Sequence, residues 1–216
     1  MLEKMADFFE CRLDGYDEHM LNHIASAKEF YPFTAGLLPR NPGCRLLDLG
    51  CGTGLELEFY EAFNPSAHIT GIDLSEKMLE ALKQKFPDKQ MELIVGSYFD
   101  YPFGEAAFDA AVSVESLHHF TMEQKIPLYQ KIHCALKENG YFVLTDYFSL
   151  SDAEEEEHYR EFLSLKQAEG INDAECYHFD IPLTVEHECL ALREAGFGKV
   201  DIVGCWGATY TLLASY

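Results

Sequence analysis

Leu46-Leu47-Asp48-Leu49-Gly50-Cys51-Gly52-Thr53-Gly54 is the stretch on which the reading of this chain turns. An apolar run of strand length, Arg45–Leu49, ends in a glycine at every second position, and a helical pattern over Leu55–Phe63 follows. Glycines let the backbone turn tightly and let a ligand approach it. The helix starting behind them offers unpaired N–H groups. Nineteen residues beyond Gly54 stands Asp73, at the end of a second apolar run over residues 68–72. A carboxylate there can accept hydrogen bonds from both hydroxyls of a ribose. Strand, glycine loop, helix, strand and acid in this order point to a nucleoside-bearing cofactor. The spacing is G-x-G-x-G, not the G-x-G-x-x-G of dinucleotide sites, and Asp48 precedes the first glycine by two residues. A pyrophosphate is repelled by such a carboxylate, whereas a cofactor with a cationic amino-acid tail suits it.

Outward from this loop the alternation continues. Ser75 is placed to cap a helix running through Phe86. Met91–Val95 and Phe108–Val114 read as strands. Thr121-x-x-Gln124 is a capping-box pattern opening a helix that ends near Asn139-Gly140. Residues 141–145 read as a β-branched and aromatic strand, 184–195 as a helix, and 199–204 and 208–215 as two strands joined by a short turn. The expected fold is α/β: a three-layer, Rossmann-like, seven-stranded, mostly parallel sheet with an antiparallel last strand. Organisation as one domain over 1–216 is expected. Its parts are an N-terminal helical cap (1–40), a cofactor-binding core (44–148), a helical lid insertion (150–182) and a C-terminal helix with a strand hairpin (184–216).

The 216 residues carry 16 Lys+Arg against 37 Asp+Glu, a formal charge of −21. Nucleic-acid affinity rests on neutralising phosphates with Lys and Arg, and no basic cluster is present, so RNA and DNA are excluded as expected partners. An anionic membrane surface is disfavoured for the same reason. Residues 146–180 hold eleven acids and two bases, so the charge concentrates in the expected lid. The N-terminus lacks the apolar run of a signal peptide. The seven cysteines are scattered, with no C-x-x-C pair; reduced thiols and a cytoplasmic location are expected.

Asp48-x-Gly50-x-Gly52-x-Gly54 followed by Asp73 resembles the first two motifs of class I S-adenosylmethionine-dependent methyltransferases. Ile72-Asp73-Leu74-Ser75-x-x-Met78-Leu79 is similar to the family's D-x-S-x-x-M-L segment, where the Asp holds the ribose and the Leu and Met flank the adenine. Ser97 stands where an acidic side chain usually meets the adenine edge, with the Tyr98 backbone N–H next to it. Phe108-Asp109-x-x-x-Ser113-Val114-Glu115-Ser116-Leu117-His118-His119-Phe120 resembles the fourth motif, where a strand ends beside the transferable methyl. Leu136-Lys137-x-x-Gly140-Tyr141-Phe142-Val143-Leu144 is similar to the segment before strand five, with Glu138-Asn139 in the place of the usual turn-forming Pro-Gly. Tyr16-Asp17 resembles the N-terminal pair of small-molecule members, whose tyrosine closes over the cofactor. The resemblance covers roughly residues 5–216. It implies S-adenosyl-L-methionine as cofactor, bound by Tyr16, Asp48, Gly50, Cys51, Gly52, Gly54, Asp73, Leu74, Met78, Ser97, Tyr98 and Ser113.

Methyl transfer from a sulfonium is an in-line displacement with a good, neutral leaving group, so the protein chiefly aligns the reactants. Acceptor-side groups belong at the carboxyl ends of strands four and five. There stand Glu115, His119 and Asp146, the candidate catalytic residues, with His118 and Tyr147. Each also has a plainer role open to it, in packing, capping or ending a strand. No histidine or cysteine set has ligand spacing along the sequence, so no metal is expected. The expected acceptor is a small molecule, neutral or cationic given the acidic lid. A cofactor-binding sensor or partner subunit without turnover stays open as an alternative, as does a protein or RNA methyltransferase. The assembly is open too, a homodimer included.

Overall fold

The computed structural model describes residues 2–171 and 176–216. Three short helices come first: α1 (Met5–Cys11), α2 (Tyr16–His23) and α3 (Ala27–Leu37). Then follow β1 (Arg45–Leu49), α4 (Leu55–Phe63), β2 (His68–Asp73), α5 (Glu76–Lys85), β3 (Met91–Val95) and β4 (Phe108–Val114). The chain continues through α6 (Met122–Ala135), β5 (Leu136–Tyr147), α7 (Asp152–Glu169), α8 (Val185–Glu194), β6 (Lys199–Trp206) and β7 (Thr209–Ser215). The seven strands form one sheet in the order β3-β2-β1-β4-β5-β7-β6, with β7 antiparallel to both of its neighbours and the rest parallel.

Alternation along the strands sends side chains to two separate cores. Leu47 and Leu49 of β1 face a core with α6 and α8, through Leu128, Ile132 and Leu192. Leu46, one residue away, faces α3, α4 and α5, through Phe30, Tyr60 and Leu82. Both faces of the sheet are therefore covered, and the near-continuous apolar runs read from the sequence follow from that. Across the first core, Lys125 of α6 donates to Glu188 of α8 at 2.5 Å, and Tyr129 donates to the same carboxylate.

The local capping signals operate as their chemistry requires. Ser75 accepts from the Met78 N–H, and Thr121 with Gln124 closes a reciprocal capping box. The end of α6 differs from the sequence reading. The helix stops at Ala135 rather than near Asn139-Gly140, and β5 begins at Leu136. Pairing with β4 advances from Phe108↔Leu136 directly to Ala110↔Tyr141, so residues 137–140 bulge out of the ladder. The Glu138-Asn139 turn is thus an excursion inside one long strand, tied down by Lys137 donating to Asp109 at 2.8 Å. Helix α7 keeps none of its residues fully buried; in the acid run Glu156 and Glu157 are exposed, whereas Glu155 accepts from the Thr184 N–H at 2.5 Å and pairs with His187 at 2.9 Å, tying α7 to α8. Among the described residues no helix is long and apolar enough to cross a membrane.

Candidate functional site

The glycine loop lies where β1 hands the chain to α4, beside the end of β2. Gly50 has φ +71°, and a Cβ there would fall 2.0 Å from Ser116 Oγ, so both backbone and space demand glycine. Its N–H donates to the Ile72 carbonyl at 2.8 Å, joining loop and β2. Asp73, at the end of β2, accepts from the Gly52 N–H at 2.9 Å and from the Ser75 N–H at 2.8 Å. Each carboxylate oxygen has a lone pair left for a further donor. Asp17 ties the N-terminal helices to this loop: it accepts from Thr53 Oγ1 at 2.5 Å and from Lys85 Nζ at 2.7 Å. Tyr16 is thereby held over the loop.

An inner cleft of about 50 Å³ results. Of the residues expected to contact the cofactor, Tyr16, Gly50, Gly52, Asp73, Leu74, Met78 and Tyr98 line it. The other five lie off its walls. Asp48 is buried below the loop, beside Glu56. Cys51 turns its sulfur into the core, against Gly71, and Gly54 backs onto Leu82. Ser97 Oγ accepts from the Phe99 N–H at 3.1 Å, and Ser113 donates to the Leu49 carbonyl at 3.1 Å, stitching β4 to β1. The sequence reading missed four lining residues: Met5, Phe9, Val114 and Ser116. For Phe9 the Phe8-Phe9 pair in a polar N-terminal segment was the available signal. For Ser116 there was none, because only the folded chain brings it against Gly50.

An outer cavity of about 890 Å³ adjoins the cleft. Phe9, Tyr16, Glu115 and His119 line both spaces. The outer walls combine apolar Phe8, Met20, Ile24 and Trp206 with polar His118, Tyr147, His178 and Asp180. His178 stacks on Phe8 at this wall with ring centroids 3.5 Å apart.

Glu115 ends β4 with φ +51°, a left-handed backbone on a non-glycine residue, which costs about 1–2 kcal/mol. Such strain clusters at functional sites. Burial first, and then the charge of Asp146, push its carboxyl up to about 8. Asp146 is committed to scaffolding. It accepts from the Leu117 N–H at 2.8 Å and the His118 N–H at 3.1 Å, and its Oδ1 lies 2.5 Å from His118 Nδ1. Burial opposes the His118 imidazolium, yet the charge of Asp146 outweighs it and raises that ring to about 9. His119 is held neutral, lowered to about 4 by burial and by the neighbouring His118 charge. Asp146 therefore acts through His118 and has no place on the wall of either space.

The residues present fit a cationic nucleoside cofactor. Glu115 Oε1 is buried without a hydrogen-bond partner among the described residues, and the buried Asp48 and Glu56 carboxyls below the loop have only each other as acidic side-chain partners, with Asp48 Oδ2 and Glu56 Oε1 left over. Uncompensated buried acid favours a cation nearby. It also raises Asp48 well above the ordinary carboxylate range, through burial and then through Glu56. A carboxyl raised in the folded state stabilises the fold fully below its unfolded value, near about 3.9. That stability is lost as pH climbs through the folded value. Asp48→Asn removes the effect. Its melting temperature, followed by scanning calorimetry without ligand, is expected to fall less than the parent's between pH 5 and pH 8. Equal falls would contradict the assignment.

Comparison with known proteins bears on the family and the fold. Residues 47–144 match the family model described as a methyltransferase domain. The chain is 30% identical over 192 residues to the biotin biosynthesis bifunctional protein BioHC of Teredinibacter turnerae, covering 74% of this chain and 33% of that one. It is 28% identical over 200 residues to the sterol 24-C-methyltransferase ERG6B of Gibberella zeae, covering 88% and 48%. The chain thus spans between a third and a half of the length of these two relatives. In fold it is similar to an S-adenosylmethionine-dependent methyltransferase from Mesorhizobium loti, with TM-score 0.64, 20% identity and coverage of 86% and 96%.

Proposed function

Because the chain carries a methyltransferase domain of the class I S-adenosylmethionine-dependent family, we propose that it moves a methyl group from S-adenosylmethionine to a small molecule held in the outer cavity. The observation that carries this reading is the junction of the two spaces at Phe9, Tyr16, Glu115 and His119. A group bound in the outer cavity meets the inner cleft only across these four side chains. When bound, the cofactor supplies an electrophilic methyl on a positively charged sulfur.

The chain's own residues do the rest. Asp73 holds the ribose hydroxyls, Leu74 and Met78 grip the adenine, and the glycine loop receives the amino-acid tail close to its backbone. A cation on that side of the site would draw the Asp48, Glu56 and Glu115 carboxyls, which burial otherwise holds up, toward ionisation and so be favoured there. Phe9 and Tyr16 close over the junction and exclude water, which strengthens every charge interaction inside. The inner cleft is far below the roughly 300–1,000 Å³ of small-molecule sites, so the cofactor needs more room than the cleft gives, from the adjoining cavity or from an outward shift of the α1 and α2 side chains over it. Neutral His119 faces the junction and is suited to hold an acceptor proton. The apolar patch of Phe8, Met20, Ile24 and Trp206 suits an acceptor with a hydrophobic body. ERG6B, by its name, acts on a sterol, which is consistent with that class. A neutral or cationic acceptor fits the acidic surroundings best.

Incubation with radiolabelled methyl donor and a panel of apolar alcohols, amines and thiols tests the proposal. Labelled product is expected, with turnover reduced at least about 10-fold in Phe9→Ala, which opens the junction to water. Tight binding of S-adenosylmethionine with no transfer to any acceptor would instead favour a sensor or a partner subunit.

A further inference from the structure

Three imidazoles converge on one carboxylate oxygen in the outer cavity. Asp180 Oδ1 lies 3.0 Å from His119 Nδ1, 3.6 Å from His118 Nε2 and 4.0 Å from His178 Nε2. We propose that His118, His119, His178 and Asp180 form a binding site for a divalent transition-metal ion. Four ligands at the usual 2.0–2.1 Å around a tetrahedral ion stand about 3.4 Å apart, and the three observed separations bracket that value. The ligand atoms of His118, His119 and Asp180 all lie within 4.8 Å of one another; His178 falls outside that set, with its Nε2 4.0 Å from Asp180 Oδ1, so its ring must shift inward to join them. Imidazole nitrogen with one carboxylate is a donor set for zinc, cobalt, nickel or iron(II), not for calcium or magnesium.

The surroundings are built for ligation. His118 turns Nε2 into the cluster because Asp146 holds its Nδ1 at 2.5 Å. A carboxylate behind a ligating imidazole is the usual means of fixing its tautomer and direction. Asp146 itself is anchored by the Leu117 and His118 N–H groups. The Ile181 N–H donates to the His118 carbonyl at 2.8 Å, which pins the Asp180 segment against the histidine pair. His178 is clamped by stacking on Phe8. Asp180 Oδ1 itself is shielded from solvent, and the His119 ring and the Tyr147 hydroxyl both lie within hydrogen-bond reach of the half-exposed Asp180 carboxylate. The sequence spacing hid the set, since His118-His119 and His178-x-Asp180 lie about sixty positions apart.

The competing arrangement has no ion: His119 Nδ1, 3.2 Å from the Phe179 carbonyl, donates a proton there. If the methyltransferase reading above holds, the ion would sit on the acceptor's wall, an oxygen or sulfur donor of that molecule would add as a fifth ligand, and the ion rather than the ligated His119 would loosen the acceptor's proton. The metal test does not depend on that reading, because it uses neither cofactor nor acceptor. Chelator-treated full-length protein is titrated with zinc and with cobalt(II), by calorimetry and by visible absorption. One equivalent is expected to bind, with the absorption bands of imidazole-ligated cobalt. Asp180→Ala and His178→Gln are each expected to weaken binding at least 10-fold, and Asp146→Asn by about 10–100-fold. His178 is only half-buried, so His178→Gln keeps the test decisive should another variant fail to fold. Absence of saturable binding overturns the proposal. So does binding undiminished in Asp180→Ala and His178→Gln, which would place the metal on cysteines or surface acids.

Discussion

Asp73→Ala will lower the affinity for S-adenosylmethionine at least about 100-fold, read by isothermal titration against the parent protein. Two ribose hydroxyls donating to one ionised carboxylate are each worth about 1.5–3 kcal/mol, and every 1.4 kcal/mol is about tenfold. The same side chain also holds the Gly52 N–H of the loop and the Ser75 N–H at the start of α5. On the proposed function, alanine therefore removes a ligand contact and, by freeing the Gly52 N–H, loosens the loop proposed to receive the amino-acid tail. Asp73→Asn retains one accepting oxygen and should lose less. An affinity within a few-fold of the parent in Asp73→Ala would refute the placement of the ribose, and with it the cofactor reading of the cleft.

Glu188→Ala will destabilise the fold by about 3–5 kcal/mol in denaturant titration, the usual result of removing one partner of a buried ion pair. Lys125 is 1% exposed and Glu188 is fully buried. The variant leaves the Lys125 ammonium and the Tyr129 hydroxyl without their shared acceptor between α6 and α8. The charge, rather than lost packing, dominates the cost, so the double variant Lys125→Met/Glu188→Leu should recover most of it. A double variant as unstable as the single one would show that packing governs instead. This pair lies across the core facing α6 and α8, away from the glycine loop, so cofactor affinity should survive in whatever fraction remains folded.

Neither partner of that pair stood out in the sequence. Lys125 directly follows the capping box and Glu188 sits among other charged residues in its helix. Periodicity assigns a face to a residue only when the residue is apolar, so a charge turned inward is invisible until its partner is placed. The cofactor side was far more legible. Strand, glycine loop, helix and Asp73 are local and contiguous, and each element carries its own chemical reason for existing. The five expected contacts off the cleft walls, Asp48, Cys51, Gly54, Ser97 and Ser113, belong to the same motifs. Motif spacing names a segment, whereas the direction of each side chain depends on the strand or turn that carries it. At Cys51 the turn points the sulfur at Gly71.

Residue order alone determined the α/β class, the parallel core, the antiparallel last strand and the acid beside the glycine loop. These follow from periods, caps and turns within about thirty residues of one another. Tertiary structure alone decided that Phe9 joins Tyr16 at the junction, that Ser116 presses on Gly50, and that β5 bulges where a turn was expected. It alone joined His178 and Asp180 to His118 and His119. A pattern read along the chain reports neighbours a few bonds away. A site with ligands about sixty positions apart exists only once the sheet has brought its strand ends together.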